Sequence, residues 1–101
     1  MTIRIHEGNF QQEVLDAKEP ILIDFWARWC APCRMLAPRL EAVEARHPEL
    51  RIGKLDIDLS PMLALQYGVD AIPKLVYFKN GEPAASAVGL IEEDEIEALI
   101  K

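Results

Sequence analysis

A chain of 101 residues is the size of one domain, and with half of them apolar it can build a single core without staples. The formal net charge of -6 disfavours nucleic acid and anionic membrane surfaces as partners. No apolar run reaches the ~18 residues of a membrane-spanning helix. The start, Met1-Thr2-Ile3-Arg4-Ile5-His6, lacks the apolar core of a secretory signal, so the expectation is a cytoplasmic, monomeric domain over residues 1–101.

Ile3 and Ile5 alternate with polar neighbours and predict a first strand over about residues 2–6. Asn9 with Gln12 has capping-box spacing, and Phe10, Val14 and Ala17 share a helical face, predicting a helix at about 10–18 that ends before Pro20. Residues 21–27 are apolar on both alternation faces, as in a central strand covered on both sides. A helix follows from Cys30 to about His47, with Leu36, Leu40 and Val43 inward and Arg34, Arg39, Glu41, Glu44 and Arg46 in water. Pro38 should kink it near Arg34. Arg51 to Asp58 reads as a third strand in which Gly53 is tolerated. Ser60-Pro61 opens, and Gly68 closes, a short helix at about 61–67. A strand at about 74–79 turns at Asn80-Gly81 into a return strand, which Pro83 marks as an edge. Glu92 to Ile100 is a final helix with an acidic start and Ile96, Leu99 and Ile100 inward. The order β-α-β-α-β-α-β-β-α makes the first three strands parallel and the last two a hairpin, so the class is α/β with a mixed sheet.

The only two cysteines, Cys30 and Cys33, stand where a buried strand gives way to a helix. Unpaired amides and the helix dipole there favour a thiolate at the first position, while the second thiol lies a turn further in and is more shielded. The first should attack a disulfide and the second resolve the mixed disulfide. A zinc site would need two further ligands, and His6, His47 and the carboxylates lack the spacing. Two inert core cysteines are the plainer alternative. Asp24, an acid inside an apolar strand, should bind its proton more tightly than usual and serve as an acid/base, or else pair with Lys54 on the neighbouring strand. Trp26 and Trp29 suit either a groove wall or ordinary packing, and His6 and His47 read as surface residues. Pro73 alone reads as a trans turn residue.

The run Asp24-Phe25-Trp26-Ala27-x-Trp29-Cys30-x-Pro32-Cys33, with Pro38 in the next helix, resembles the thioredoxin family. The resemblance continues through Lys54-Leu55-Asp56-Ile57-Asp58, Tyr67-Gly68-Val69, Ile72-Pro73, Phe78-Lys79-Asn80-Gly81 and Val88-Gly89 and covers essentially the whole chain. It implies the thioredoxin fold, a central five-stranded mixed sheet flanked by four helices. It implies a protein-disulfide reductase with no bound cofactor or metal, recharged from NADPH by thioredoxin reductase. By the resemblance Cys30 is nucleophile, Cys33 resolves, Asp24 is the acid/base beside Lys54, and Pro73 is a cis-proline facing the disulfide. Trp29, Ala31, Pro32, Ala71, Ile72, Lys74, Val88 and Gly89 would meet an extended substrate. The chain departs from the family pattern with Ala31 for the usual glycine, Lys74 where threonine is common, Arg28 where an acid or another residue often stands, and Glu92 as a weaker cap than the usual serine. Arg28, Arg34 and Lys74 are therefore expected to form a basic rim near Cys30 that makes the protein more oxidising. A thiol oxidase or isomerase, or a redox-independent binding module, remains the alternative reading of the same residues.

Overall fold

A computed structural model describes residues 1–101. The elements are β1 (Thr2–Ile5), a short helix at Gln11–Leu15, β2 (Ile21–Trp26), α1 (Ala31–Arg46), β3 (Ile52–Asp56), α2 (Pro61–Gln66), β4 (Lys74–Lys79), β5 (Glu82–Val88) and α3 (Glu93–Leu99). One five-stranded sheet has the order β1-β3-β2-β4-β5. β1, β3 and β2 are mutually parallel, and β4 runs antiparallel to both of its neighbours, β2 and β5. Each parallel step is bridged by a helix, as a crossover requires.

β2 is central because both of its faces are apolar. Ile21, Ile23 and Phe25 point to a core with Phe10, Val14, Leu63 and Phe78, while Leu22 joins Leu36, Leu40, Val43 and Ile96 on the other side. Each face of the strand therefore removes apolar surface from water against a different layer. α1 buries the expected stripe of Leu36, Leu40 and Val43 and runs through Pro38 as one element. At α3, Glu95 Oε1 accepts the Glu92 N–H at 3.0 Å, so the glutamate start is closed from inside the helix.

Three expectations change. The first helix is shorter than 10–18 and wider than an α-helix, since the Asp16 N–H donates to the Gln11 carbonyl at 2.8 Å. Asn9 does not cap it. Its Oδ1 accepts the His6 N–H at 2.8 Å and its Nδ2 donates to the Arg4 carbonyl at 2.9 Å, which fastens the turn leaving β1. Phe10 and Val14 are still buried, so the packing of that segment is as expected and only its backbone differs. Gly53 is required rather than tolerated, because a Cβ there would stand 2.6 Å from both Ile23 Cδ1 and Ile5 Cγ1.

Candidate active site

The site starts where β2 runs out. The Cys30 N–H donates to the Ala27 carbonyl at 3.2 Å, and Cys30 itself is extended (φ -93, ψ 106) before α1 begins. That conformation makes Cys30 the N-cap, with its Sγ accepting the Cys33 N–H at 3.2 Å. A sulfur in this place takes up an amide that the helix leaves unpaired, and negative charge on it is favoured. Pro32 lies in the first turn, where a missing N–H is harmless. The two cysteines are joined as a disulfide with their Cα atoms 5.3 Å apart. Arg34 Nη1 donates to the Arg28 carbonyl at 2.6 Å, so the loop before Cys30 is tied to the helix that carries Cys33.

Cys30 is only 4 % exposed and Cys33 2 %, so the first cysteine is less open than the sequence suggests. Trp26, Ala27, Ile57 and Ile72 pack around the pair and cover it. Ala31 and Pro32 are the exposed residues between them.

Asp24 is fully buried on the face of β2 that lies beneath α1, and neither carboxylate oxygen accepts a hydrogen bond. Parallel register sets it beside Lys54, whose Nζ stands 3.5 Å from Oδ2 and 4.6 Å from the centre of the Trp26 ring. Burial pushes the Asp24 carboxyl up to about 6, with the Lys54 charge pulling the other way. The group therefore changes charge near neutral pH, inside the sheet and beside the one cation paired with it, Lys54.

The Ile72-Pro73 peptide is cis, as the family resemblance implied and the residues alone did not. The Gly89 N–H donates to the Pro73 carbonyl at 2.7 Å, and Lys74 pairs with Val88. This joins the segment 71–74 to 88–89 as one surface, with Val88 exposed. A groove of ≈ 300 Å³ runs between Trp29, Ile57, Val69, Asp70, Ala71 and Ile72. Trp29 is 66 % exposed and held upright by its Nε1–H, which donates to Asp58 Oδ2 at 2.9 Å.

Lys74 does not join a basic rim. Alternation along β4 puts it on the side of Val76 and Phe78, and its Nζ reaches the Tyr67 carbonyl at 3.4 Å, at the end of α2. Arg28 sits 3.9 Å from Asp56 Oδ2. Ile57, Val69 and Asp70, which line the groove, and Asp58, which orients Trp29, were not singled out from the sequence as site residues. A conformational tether such as Trp29–Asp58 leaves no local pattern to read. His6 and His47 are away from the cysteines: His6 Nδ1 accepts the Gly8 N–H at 3.0 Å, and His47 Nε2 pairs with Glu97.

A strand that delivers a cystine to a helix N-terminus, with a buried acid beneath and a largely apolar groove alongside, defines a thiol–disulfide oxidoreductase. Comparison with known proteins agrees. The family model described as Thioredoxin matches residues 1–101. The chain is 42% identical over 102 residues to the mitochondrial thioredoxin of Bos taurus, covering 99% of this chain and 61% of the bovine protein. It is 43% identical over 89 residues to the thioredoxin of Mycobacterium tuberculosis, covering 87% of this chain and 77% of that one. The thioredoxin of Alicyclobacillus acidocaldarius is 41% identical over 98 residues, 96% of this chain and 92% of the relative. The chain therefore belongs to the thioredoxin family, with Cys30–Cys33 as its redox-active disulfide.

Proposed function

We propose that this chain is a carrier of reducing equivalents that reduces disulfides in other proteins, with Cys30 attacking and Cys33 resolving. The observation that carries this reading is the Cys33 N–H aimed at Cys30 Sγ at 3.2 Å, at the start of α1. In the reduced protein that amide and the helix dipole favour a Cys30 thiolate. The thiolate attacks one sulfur of a substrate disulfide, a Cys30–substrate bond forms, and the first substrate thiolate leaves. Deprotonated Cys33 then attacks Cys30 Sγ, the intramolecular disulfide forms, and the second substrate thiolate leaves. Two electrons have passed from the pair to the substrate.

Asp24 is the proton acceptor that readies Cys33, with Lys54 holding part of its charge. Trp29, Ala71, Ile72 and Pro73 hold an extended substrate segment against the sulfurs, and Ala31, Pro32, Val88 and Gly89 border it. Lys74 acts there only through its backbone, since its ammonium is engaged at Tyr67. Regeneration falls to an NADPH-dependent thioredoxin reductase, and the cytoplasm, where thiols are kept reduced, is the compartment that suits this use.

Insulin reduction tests the scheme. A Cys30→Ser protein should run at the uncatalysed rate. A Cys33→Ser protein should accumulate a mixed disulfide through Cys30, visible by mass spectrometry. Absence of any trapped adduct would overturn the division of labour between the two cysteines.

A further inference from the structure

We propose that a small basic pocket on the Lys54 side of the disulfide seats an aspartate or glutamate side chain of the protein substrate, and thereby selects acidic partners. The proposal rests on the reading of the chain as a reductant of protein disulfides and names a second contact for the same substrate.

The pocket encloses ≈ 110 Å³ between Arg4, Trp26, Arg28, Lys54, Asp56 and Leu59. Sheet register assembles it. Arg4 and Lys54 are partners across β1 and β3, and Trp26 and Asp56 are partners across β2 and β3. Trp26 also packs against the Cys30–Cys33 cluster, so the pocket shares a wall with the disulfide. The groove of Trp29, Ala71 and Ile72 reaches the same cluster through Ile57 and Ile72. A substrate lying in that groove thus has a second, chemically different depression within reach.

Three cations line this pocket in a chain of net charge -6, and while Lys54 is engaged with Asp24 at 3.5 Å, the two arginines are largely uncommitted. The Arg4 guanidinium enters none of the ion pairs of the chain. The Arg28 side chain is 80% exposed and meets Asp56 only at 3.9 Å. Asp56 is the sole anion on the wall, and its Oδ1 already accepts the Asp58 N–H at 2.9 Å. A guanidinium presents a planar fork of donors that matches a carboxylate. At ≈ 110 Å³ the depression is well below the ~300–1,000 Å³ of a site for a whole small-molecule ligand and is on the scale of a side-chain tip. Trp26 and Leu59 give the stem an apolar wall, which a free inorganic anion would not use. The occupant the pocket fits is therefore an acidic side chain carried on a bound peptide.

The test is a series of disulfide peptides, each with one Glu at a successive position flanking the disulfide and a Gln control. At one or two adjacent positions Glu should raise kcat/KM about tenfold over Gln at low salt. The preference should fade near 0.5 M salt, where screening is about an order stronger than at low ionic strength. In an Arg4→Gln/Arg28→Gln protein, shown by its melting curve to be folded, the ratio should drop to within about twofold. No preference at any position, or one that survives in the double variant, overturns the proposal. A second readout is independent of redox turnover. A cysteine-free Glu peptide added to the oxidised protein should shift the Arg4, Lys54 and Leu59 amide resonances, and the Gln peptide should not. Shifts of the same size from equal inorganic phosphate would make the pocket a general anion sink and also overturn it. If these shifts appear while no peptide is reduced, the pocket stands and the reductase reading fails.

Discussion

Asp24 is the residue on which the chemistry of the site turns, and its burial has a thermodynamic consequence. Its carboxyl titrates at about 6 in the fold against 3.8 for the free group, so between those values the folded state binds more protons than the unfolded state. Stability contributed by the neutral acid is complete below about pH 4 and is lost as pH rises through about 6. At about 1.4 kcal/mol per unit the ionised acid costs the fold roughly 3 kcal/mol at pH 7. Asp24→Asn should therefore be more stable than the parent at pH 7, by up to about that amount, with little difference at pH 4. Urea unfolding at the two pH values checks it. The same variant should resolve mixed disulfides slowly, and the rise of the parent's rate through about pH 6 should vanish, as stopped-flow measurement would show. Removing the Lys54 charge should move the Asp24 titration upward, since that charge is what holds it down. The acid was legible in the sequence because Ile21–Trp26 is otherwise apolar, and its lysine because consecutive crossover strands pair in a known way. The direction of Lys74 was not anticipated. Its face follows from where β4 begins and from which side Val76 and Phe78 take, whereas the rim was expected from charge alone.

Among the elements, β3 shows how much a short strand can be constrained. Its Gly53 stands between Ile5 of β1 and Ile23 of β2, where no Cβ fits. Gly53→Ala should destabilise the protein by about 1–3 kcal/mol through overpacking, measured as a shift in urea midpoint without a change in slope. Gly81→Ala should also be unfavourable. The residue sits at φ +77, and its Cβ would meet the Leu15 carbonyl at 2.5 Å, so the hairpin turn could no longer rest on the Gln11–Leu15 helix. The Asn-Gly signal gave the turn in advance, but the backbone it rests against lies far away in the chain and gave no sign. The first helix is the other lesson. Phe10 and Val14 foretold which side would be buried, yet the turn closes through the Asp16 N–H on the Gln11 carbonyl, and the Asn9 side chain serves Arg4 and His6 instead of capping it.

For the molecule as a whole, strand order decides where stability and function fall. β2 pairs on both edges and is covered on both faces, whereas β5 is an exposed edge and β1 pairs on one side only. Amide hydrogen exchange should be slowest along Ile21–Phe25 and fastest in β5, with the β2 amides opening only at the global unfolding energy. Most of this architecture followed from apolar periodicity and from turn residues, because both act locally. What escaped the sequence was whatever depends on contact between distant segments, such as the Trp29–Asp58 tether and the meeting of Arg4 with Lys54. The Arg34 bond to the Arg28 carbonyl spans only six residues and was not read in advance either. It makes the loop bearing one thiol and the helix bearing the other into one body, so opening the bond between them releases little chain freedom. The local concentration that each thiol presents to the other then stays high in both oxidation states. A looser junction, as in Arg34→Ala, lowers that concentration and favours the open dithiol, so equilibration with glutathione should find a larger reduced fraction. The guanidinium of Arg34, bonded to a backbone carbonyl and not to a sulfur, thus contributes to how readily the protein gives its electrons away.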